Sequence, residues 1–388
     1  MFSPTEINFD LLKARAFNLR WACVPSGVIP LTAADPDFPI AEPIKKAIVD
    51  YVSGGYLSYG PAEGLLSFRQ AAATHYQTKH QVAYDPGHVL PVDSAAYGIA
   101  LVCETLLQNG DEAIIFDPVD FLFRYSVEQA KAKAIAFPTP PIGGDIDFDK
   151  LENFITPKTK MICLCNPLNP TGKVFTAEEL NTLGSIALKH DLWILSDEIW
   201  SDIVYTPHCF TSMASISEAV FHKTITITGY SKSYGLAGLR VGSVFMPNAN
   251  LYQLIFDRSQ HRSTVHGCNV VGQIAATAAL KEAQPWLKDF VTHLQSMRDL
   301  VTTRLNNIPG VQCTIPQGCY VAFPNISGTG MTSEQMHQLL IEKALVATVP
   351  GLPQWFGSGA AHHIRLSFAT SESVLIEALD RIEKVIVS

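Results

Sequence analysis

Four groups of polar residues interrupt an otherwise apolar chain, and their types bear on chemistry. Asn166-Pro-Leu-Asn-Pro-Thr-Gly172 directly follows an apolar run and precedes a helix-start signal. Its two Asn-Pro pairs impose extended, turn-like backbone, so the run ends abruptly and Asn169 presents its amide at the break. Leu195-Ser-Asp-Glu-Ile-Trp200 ends another apolar run in two carboxylates, Asp197 and Glu198. Burying a carboxylate there is costly unless a cation or hydrogen-bond donors meet it; a helix cap or a solvent-facing pair would serve equally as a reading of Asp-Glu alone. Thr228-Gly-Tyr-Ser-Lys-Ser-Tyr-Gly-Leu-Ala-Gly-Leu-Arg-Val-Gly242 places Ser231 and Lys232 after a third run and Arg240 before a fourth. Most lysines are solvated, but an amine desolvated among glycines at a strand end suits a nucleophile. Ser231 and Arg240 suit a phosphate. His363-Ile-Arg-Leu-Ser-Phe368 sets Arg365 inside a strand pattern, where an inward guanidinium would offer a two-pronged grip on a carboxylate.

The elements that must hold these groups are legible in outline. Residues 113–116, 161–165, 193–195, 224–228 and 241–245 read as short buried strands. Helical patterns lie between them, including 94–107 and 176–190, the latter opening on a Thr176/Glu179 capping box. Such alternation predicts an α/β fold, a mostly parallel sheet with helices on both faces. The carboxyl ends of strands in such sheets are where ligands bind. The chain ends read differently. Residues 1–45 are irregular, and the region from about 285 carries the helical patterns 286–305, 333–344 and 373–387 with short strands at 320–323 and 364–368. We therefore expect a large domain over 46–284 and a smaller, discontinuous α+β domain from 1–45 and 285–388.

Composition narrows the function. The 388 residues are 47% hydrophobic and 16% charged, enough to bury a large core. The net charge of −8 argues against nucleic acid or an anionic membrane as the main partner. The eight cysteines show no C-x-x-C, and Cys163 and Cys165, which share a strand face, read as small core residues, so no metal site is expected. No secretory leader and no run of about 18 apolar residues is visible, which predicts a cytoplasmic protein. Neither G-x-G-x-x-G nor G-x-x-x-x-G-K-[ST] occurs, so dinucleotide and P-loop sites are unsupported.

Taken in order, the four groups resemble the fold-type I pyridoxal 5'-phosphate (PLP) enzymes, specifically the class I/II aminotransferases. The resemblance runs from Ala34-Asp-Pro-Asp-Phe-Pro39, through Tyr59-Gly60, Gly64 and Arg69, to the Arg365 strand. It implies that Lys232 forms the Schiff base with PLP and that Asp197 pairs with the pyridine nitrogen. It implies that Asn169 meets the phenolic oxygen, and that Ser231, Arg240 and the backbone at Ser94 and Ala95 hold the phosphate. Tyr59 would reach the phosphate of a neighbouring subunit, making a homodimer. Arg365 would clamp the substrate α-carboxylate, with Ala34 and Asn169 lining the substrate's place. The implied activity is amino-group transfer between an L-amino acid and a 2-oxo acid.

Three positions depart from the family pattern. Trp200 stands where many members carry a tyrosine, and Asp120 where a ring-stacking aromatic is usual, leaving Phe121 as the candidate for stacking. The phosphate loop reads Asp93-Ser-Ala-Ala96 rather than carrying glycine. These departures leave room for a PLP-dependent C–S β-lyase of the cystathionine-lyase type on the same fold. A PLP-binding DNA regulator is disfavoured, since too few residues precede Leu31 for a helix-turn-helix and the charge is acidic. Arg258 and Arg262 are candidates for a distal substrate carboxylate or, equally, surface arginines.

Overall fold

A computed structural model describes residues 2–140 and 146–387. Seven strands form the central sheet: β1 (Val89–Val92), β2 (Glu112–Asp117), β3 (Lys133–Pro138), β4 (Thr159–Cys165), β5 (Trp193–Asp197), β6 (Thr224–Gly229) and β7 (Gly242–Phe245). Their spatial order is β1-β7-β6-β5-β4-β2-β3. All are mutually parallel except β7, which runs antiparallel to both neighbours. The segment between β6 and β7 holds only two short helical turns, Ser231–Tyr234 and Ala237–Leu239. It lays no crossover helix on the sheet, so the chain returns antiparallel. The α/β class is as the sequence predicts, with this one reversal.

The central strands are buried on both faces; Ile114, Ile162, Leu164, Ile194, Leu195, Ile225 and Ile227 have essentially no exposure. Each such side chain contributes about 1.5–3 kcal/mol on leaving water, so these runs can only be interior strands covered by helices. The helices that matter for the site are α1 (Glu42–Ser53), α2 (Leu66–His80), α3 (Ala95–Leu106), α4 (Leu122–Gln129) and α5 (Ala177–Lys189). The expected capping box is present: the Thr176 hydroxyl accepts from Glu179 N, and Glu179 reaches back to Thr176 N. Helix α3 packs across β6 and β7, and Gly242 makes this approach possible. A Cβ there would stand 2.9 Å from Ala95 N and Thr228 O.

Two edge strands, β1 and β3, escaped the sequence reading. β1 is Val-Leu-Pro-Val, and proline is tolerated there because the strand lies at a sheet edge. β3 occupies the opposite edge, is only part-buried, and so carries no continuous apolar run.

A second sheet comes from the C-terminal region: β8 (Val321–Ala322), β9 (Val349–Pro350) and β10 (Ile364–Ser367), antiparallel, with β10 central. The N-terminal segment docks beside it. Ile29 and Pro30 pair in parallel with Val346 and Ala347, and Ser367 N donates to Leu31 O. Residues 32–37 are thereby held against β10 and over the carboxyl edge of the central sheet. The buried Arg20 guanidinium fixes them further, donating to Pro30 O and Asp35 O and standing 3.4 Å from Asp37.

Candidate active site

The carboxyl ends of β2, β4, β5, β6 and β1 face one cavity of about 360 Å³. The register explains the convergence. Asp197 lies beside Cys165 and Ile227, and Gly229 lies beside Gly242, which lies beside Val92. Each motif therefore leaves its strand at the same level, and the loops that follow supply the walls.

After β4, the doubled Asn-Pro motif divides its labour. Asn166 is structural: its carbonyl accepts from Phe175 N and its amide donates to Thr211 O. Asn169 faces the cavity. Gly172 closes the turn with φ +77°, where a Cβ would press into Pro316 at 2.6 Å.

After β5, Asp197 and Glu198 point to different surroundings. Asp197 lines the cavity and accepts one backbone bond, from Ile199 N at 3.1 Å. Burial pushes its carboxyl up to about 7; the Ile199 amide opposes that shift, Asp120 adds to it, and Lys232 opposes it. Glu198 turns away from the cavity into a ring of donors: Ser196 Oγ, Ser212 Oγ and Met213 N.

After β6, Lys232 Nζ donates to Ala34 O at 2.6 Å, and Tyr320 donates to the same carbonyl. Nζ also lies over the Trp200 ring, 5.4 Å from its centroid. Desolvation draws the Lys232 ammonium below the ordinary lysine value; Asp35 opposes this, and Arg365 reinforces it. Ser231 and Arg240 line the same cavity. Arg240 has φ +49° and ψ +69°, a left-handed conformation that costs a non-glycine residue about 1–3 kcal/mol and that the surrounding structure must hold in place. Its guanidinium donates to Ala237 O.

After β1, the cavity meets the start of α3. Ser94 caps the helix, its hydroxyl accepting from Tyr97 N. Ser94, Ala95 and Ala96 all line the cavity, so a helix N-terminus of twelve residues, with its free backbone N–H groups, faces inward and favours an anion.

Arg365 closes the cavity from β10. Nη1 donates to Asn169 Oδ1 and Nη2 to Thr32 O, each at 3.2 Å, while Nε is buried without a partner. Asn169 Nδ2 donates to Asp120 Oδ2 at 2.8 Å, and that carboxylate lies 4.0 Å from Arg365. Asp120, Asn169 and Arg365 thus form one polar chain across the cavity.

Several candidate positions lie elsewhere. Phe121 is 38% exposed, its ring edge-on to Trp355 at 5.6 Å, and is not among the cavity residues. Its backbone N donates to Trp355 O while Asp120 turns inward to Asn169, so the ring is carried outward. The structure therefore does not bring Phe121 to a stacking position, and Phe123 lines the cavity instead. Trp200 is buried and presents its ring face to Lys232, with Tyr320 edge-on behind it at 4.7 Å. Tyr59 is 88% exposed and touches only the His266 ring among aromatic groups. Arg258 pairs with Glu104, and Arg262 approaches Glu63 and Asp257; neither lines the cavity. Cys163 lies by Cys103, whereas Cys165 lines the cavity and its Sγ donates to Pro167 O. Asp35, Asp120, Phe123 and Ile199 complete the wall. Asp35 and Ile199 lie within motifs read from the sequence without being named as site residues, Asp120 was named only as a departure at the stacking position, and Phe123 was not singled out.

A cavity holding an enclosed lysine, a buried carboxylate and an anion-favouring helix start fits PLP: amine for aldehyde, carboxylate for ring nitrogen, amides for phosphate. Fold and donor set together define a fold-type I PLP-dependent enzyme. Residues 26–382 match the family Aminotransferase class I and II, and the chain belongs to it. It is 31% identical to Aromatic-amino-acid aminotransferase 2 of Thermococcus litoralis, across 100% of this chain and 96% of that protein. It is 33% identical to an Aspartate aminotransferase of Pyrococcus horikoshii, across 92% of this chain and 90% of that one. The crystal structure of cystalysin from Treponema denticola, which contains a PLP cofactor, shares the fold with a TM-score of 0.91 at 24% identity, covering 100% of this chain and 98% of that one. The protein is a PLP-dependent aminotransferase. Among its described residues, no helix is long and apolar enough to cross a membrane.

Proposed function

We propose that the cavity is where this enzyme moves an amino group between an L-amino acid and a 2-oxo acid, with the following division of labour. The observation that carries the reading is the meeting of Lys232, Asp197 and Arg365 on one wall-to-wall cavity. PLP, when bound, supplies an electron sink for the charge left at the substrate α-carbon. Lys232 Nζ would hold the cofactor and would move a proton at the substrate α-carbon as general base; its lowered pKa supports both roles. Asp197 holds a proton at the pyridine nitrogen. Its burial without a cation makes it a poor carboxylate by itself and a strong partner for a cationic ring. The Asn169 amide meets the phenolic oxygen. Ser94, Ala95, Ser231 and Arg240 hold the phosphate.

Arg365 holds the substrate α-carboxylate beside Ala34 and Asn169. Its unpartnered Nε supports this, because an Nε/Nη2 fork is the geometry that grips a carboxylate with two bonds. Trp200 covers Lys232 rather than offering the cofactor oxygen a phenol. Tyr59 is proposed to serve a second copy of the chain in a homodimer. Its exposure, together with that of Tyr56 and Leu57 in the same segment, supports a covered surface. The division into a large unit of 46–284 and a small one of 1–45 and 285–388, and a cytoplasmic location, belong to the same reading.

Borohydride reduction of the holoenzyme followed by peptide mapping is expected to place the label on Lys232. A panel of amino acids with 2-oxoglutarate is expected to give the matching 2-oxo acid and glutamate. Label on another lysine would remove Lys232 from its role. Release of pyruvate and thiol from a cysteine thioether without any amino acceptor would move the activity to β-elimination.

A further inference from the structure

A second polar cluster lies away from the cavity. His75 and His80 belong to α2, and Asp202 to the loop after β5. Their donor atoms lie within 4.8 Å of one another, the only such group of three or more metal-ligating side chains among the described residues. His75 Nε2 is 3.4 Å from Asp202 Oδ1, close to the edge of a tetrahedron built on metal–ligand bonds of about 2.0–2.1 Å. His80 is only 7% exposed, and neither of its ring nitrogens has a hydrogen-bond partner. Phe210 and Tyr76 flank the ring edge-on at 4.9 and 5.1 Å, so apolar neighbours cannot satisfy it. An unmet buried polar group costs about 1–3 kcal/mol, and a ligand in the cluster removes that cost. His75 also lines an open groove with Gln70, Thr78, Lys79, Lys281 and Gln284, which gives an ion a route in.

We propose that His75, His80 and Asp202 bind a zinc-class divalent cation, with a groove water as the fourth ligand. Two imidazoles and one carboxylate are donors that suit zinc over magnesium or calcium, which prefer all-oxygen shells. The ion clips α2 to the loop after β5. Asp202 also engages Ser233, the residue after Lys232, so the clip reaches the turn that carries the active-site amine. Lys79 and Lys281 face the same groove and weaken the site, which makes it a reversible rather than permanent one.

The test is calorimetric titration of chelator-treated, redialysed holoenzyme with zinc, paired with a cobalt(II) spectrum. One equivalent per chain, and the intense visible bands of tetrahedral cobalt, are expected. H75Q and D202N, which remove direct ligands, should each weaken binding by more than the ~10-fold that loss of an outer-shell partner costs, while Cys23→Ser with Cys209→Ser, the two exposed thiols, should leave it unchanged. Absence of stoichiometric binding in the wild-type protein, or binding lost with the cysteines and retained in H75Q and D202N, overturns the proposal. The wild-type result decides even where a variant folds badly, and it is independent of which amino acid the enzyme uses.

Discussion

Asp197 and Glu198 stand side by side at the end of β5, both buried, both held near 7 by that burial. Their surroundings separate them. Glu198 is ringed by two hydroxyls and a backbone amide and faces away from any ligand. Asp197 has one amide bond and a cavity in front of it. The same burial therefore yields a carboxyl anchored through Oε1 within the core in one case and a carboxyl open to a cavity in the other. What sets Asp197 apart is the cavity it faces, not the shift it carries, since Glu198 Oε2 is also buried without a partner.

The contrast can be broken most forcibly by neutralising each group in turn. Asp197→Asn is expected to lower turnover by ~100–1000-fold, the loss typical of a single preorganised electrostatic contact, with little change in fold; Glu198→Gln should leave most of the turnover. Steady-state rates on PLP-saturated protein check this, and equal losses would erase the distinction. A smaller effect is expected in the opposite direction from Glu198→Ala. It strands Ser196, Ser212 and Met213 N and should cost ~2–4 kcal/mol of stability, read from denaturant midpoints, whereas Asp197→Asn costs the apoprotein nothing.

A third effect is on pH dependence. In the cofactor-free protein both carboxyls sit near 7, against ordinary values of 3.8 and 4.5. Below about pH 4 both are protonated folded and unfolded, and stability does not vary. Between about 4 and 7 the unfolded chain releases protons that the folded chain keeps, so stability falls as pH rises and levels off above 7. Melting scans should show this fall as about ten degrees. Asp197→Asn should remove part of the slope, and PLP should remove the same part. If loading the cofactor leaves the slope untouched, Asp197 does not face a cationic ring.

The Glu198 environment also shows where sequence reading stops. Asn169, Asp197 and Lys232 stood out because each follows a strand's carboxyl end, and those ends share one edge in a parallel sheet; Arg240 precedes β7 and reaches that edge only because β7 runs antiparallel. Strand-end position alone does not tell Glu198 from Asp197, which only the family resemblance singled out, because Glu198's partners Ser212 and Met213 come from a distant loop. Asp120 is visible in the sequence only as the loss of an expected aromatic; that it bridges to Asn169 and nears Arg365 follows from how the turn before α4 is pinned to Trp355. Phe121 and Phe123 exchange places for the same reason.

The sequence by itself determined the sheet's interior strands, the capped helix after Gly172, and which motifs leave the strand ends, because periodicity and strand-end motifs act over a few residues. Only the tertiary structure decided the antiparallel return of β7, the docking of residues 29–37 beside β10, and the meeting of Arg365 with Asn169 from nearly two hundred residues away. Those depend on which distant surfaces bury one another, and no local pattern encodes that choice.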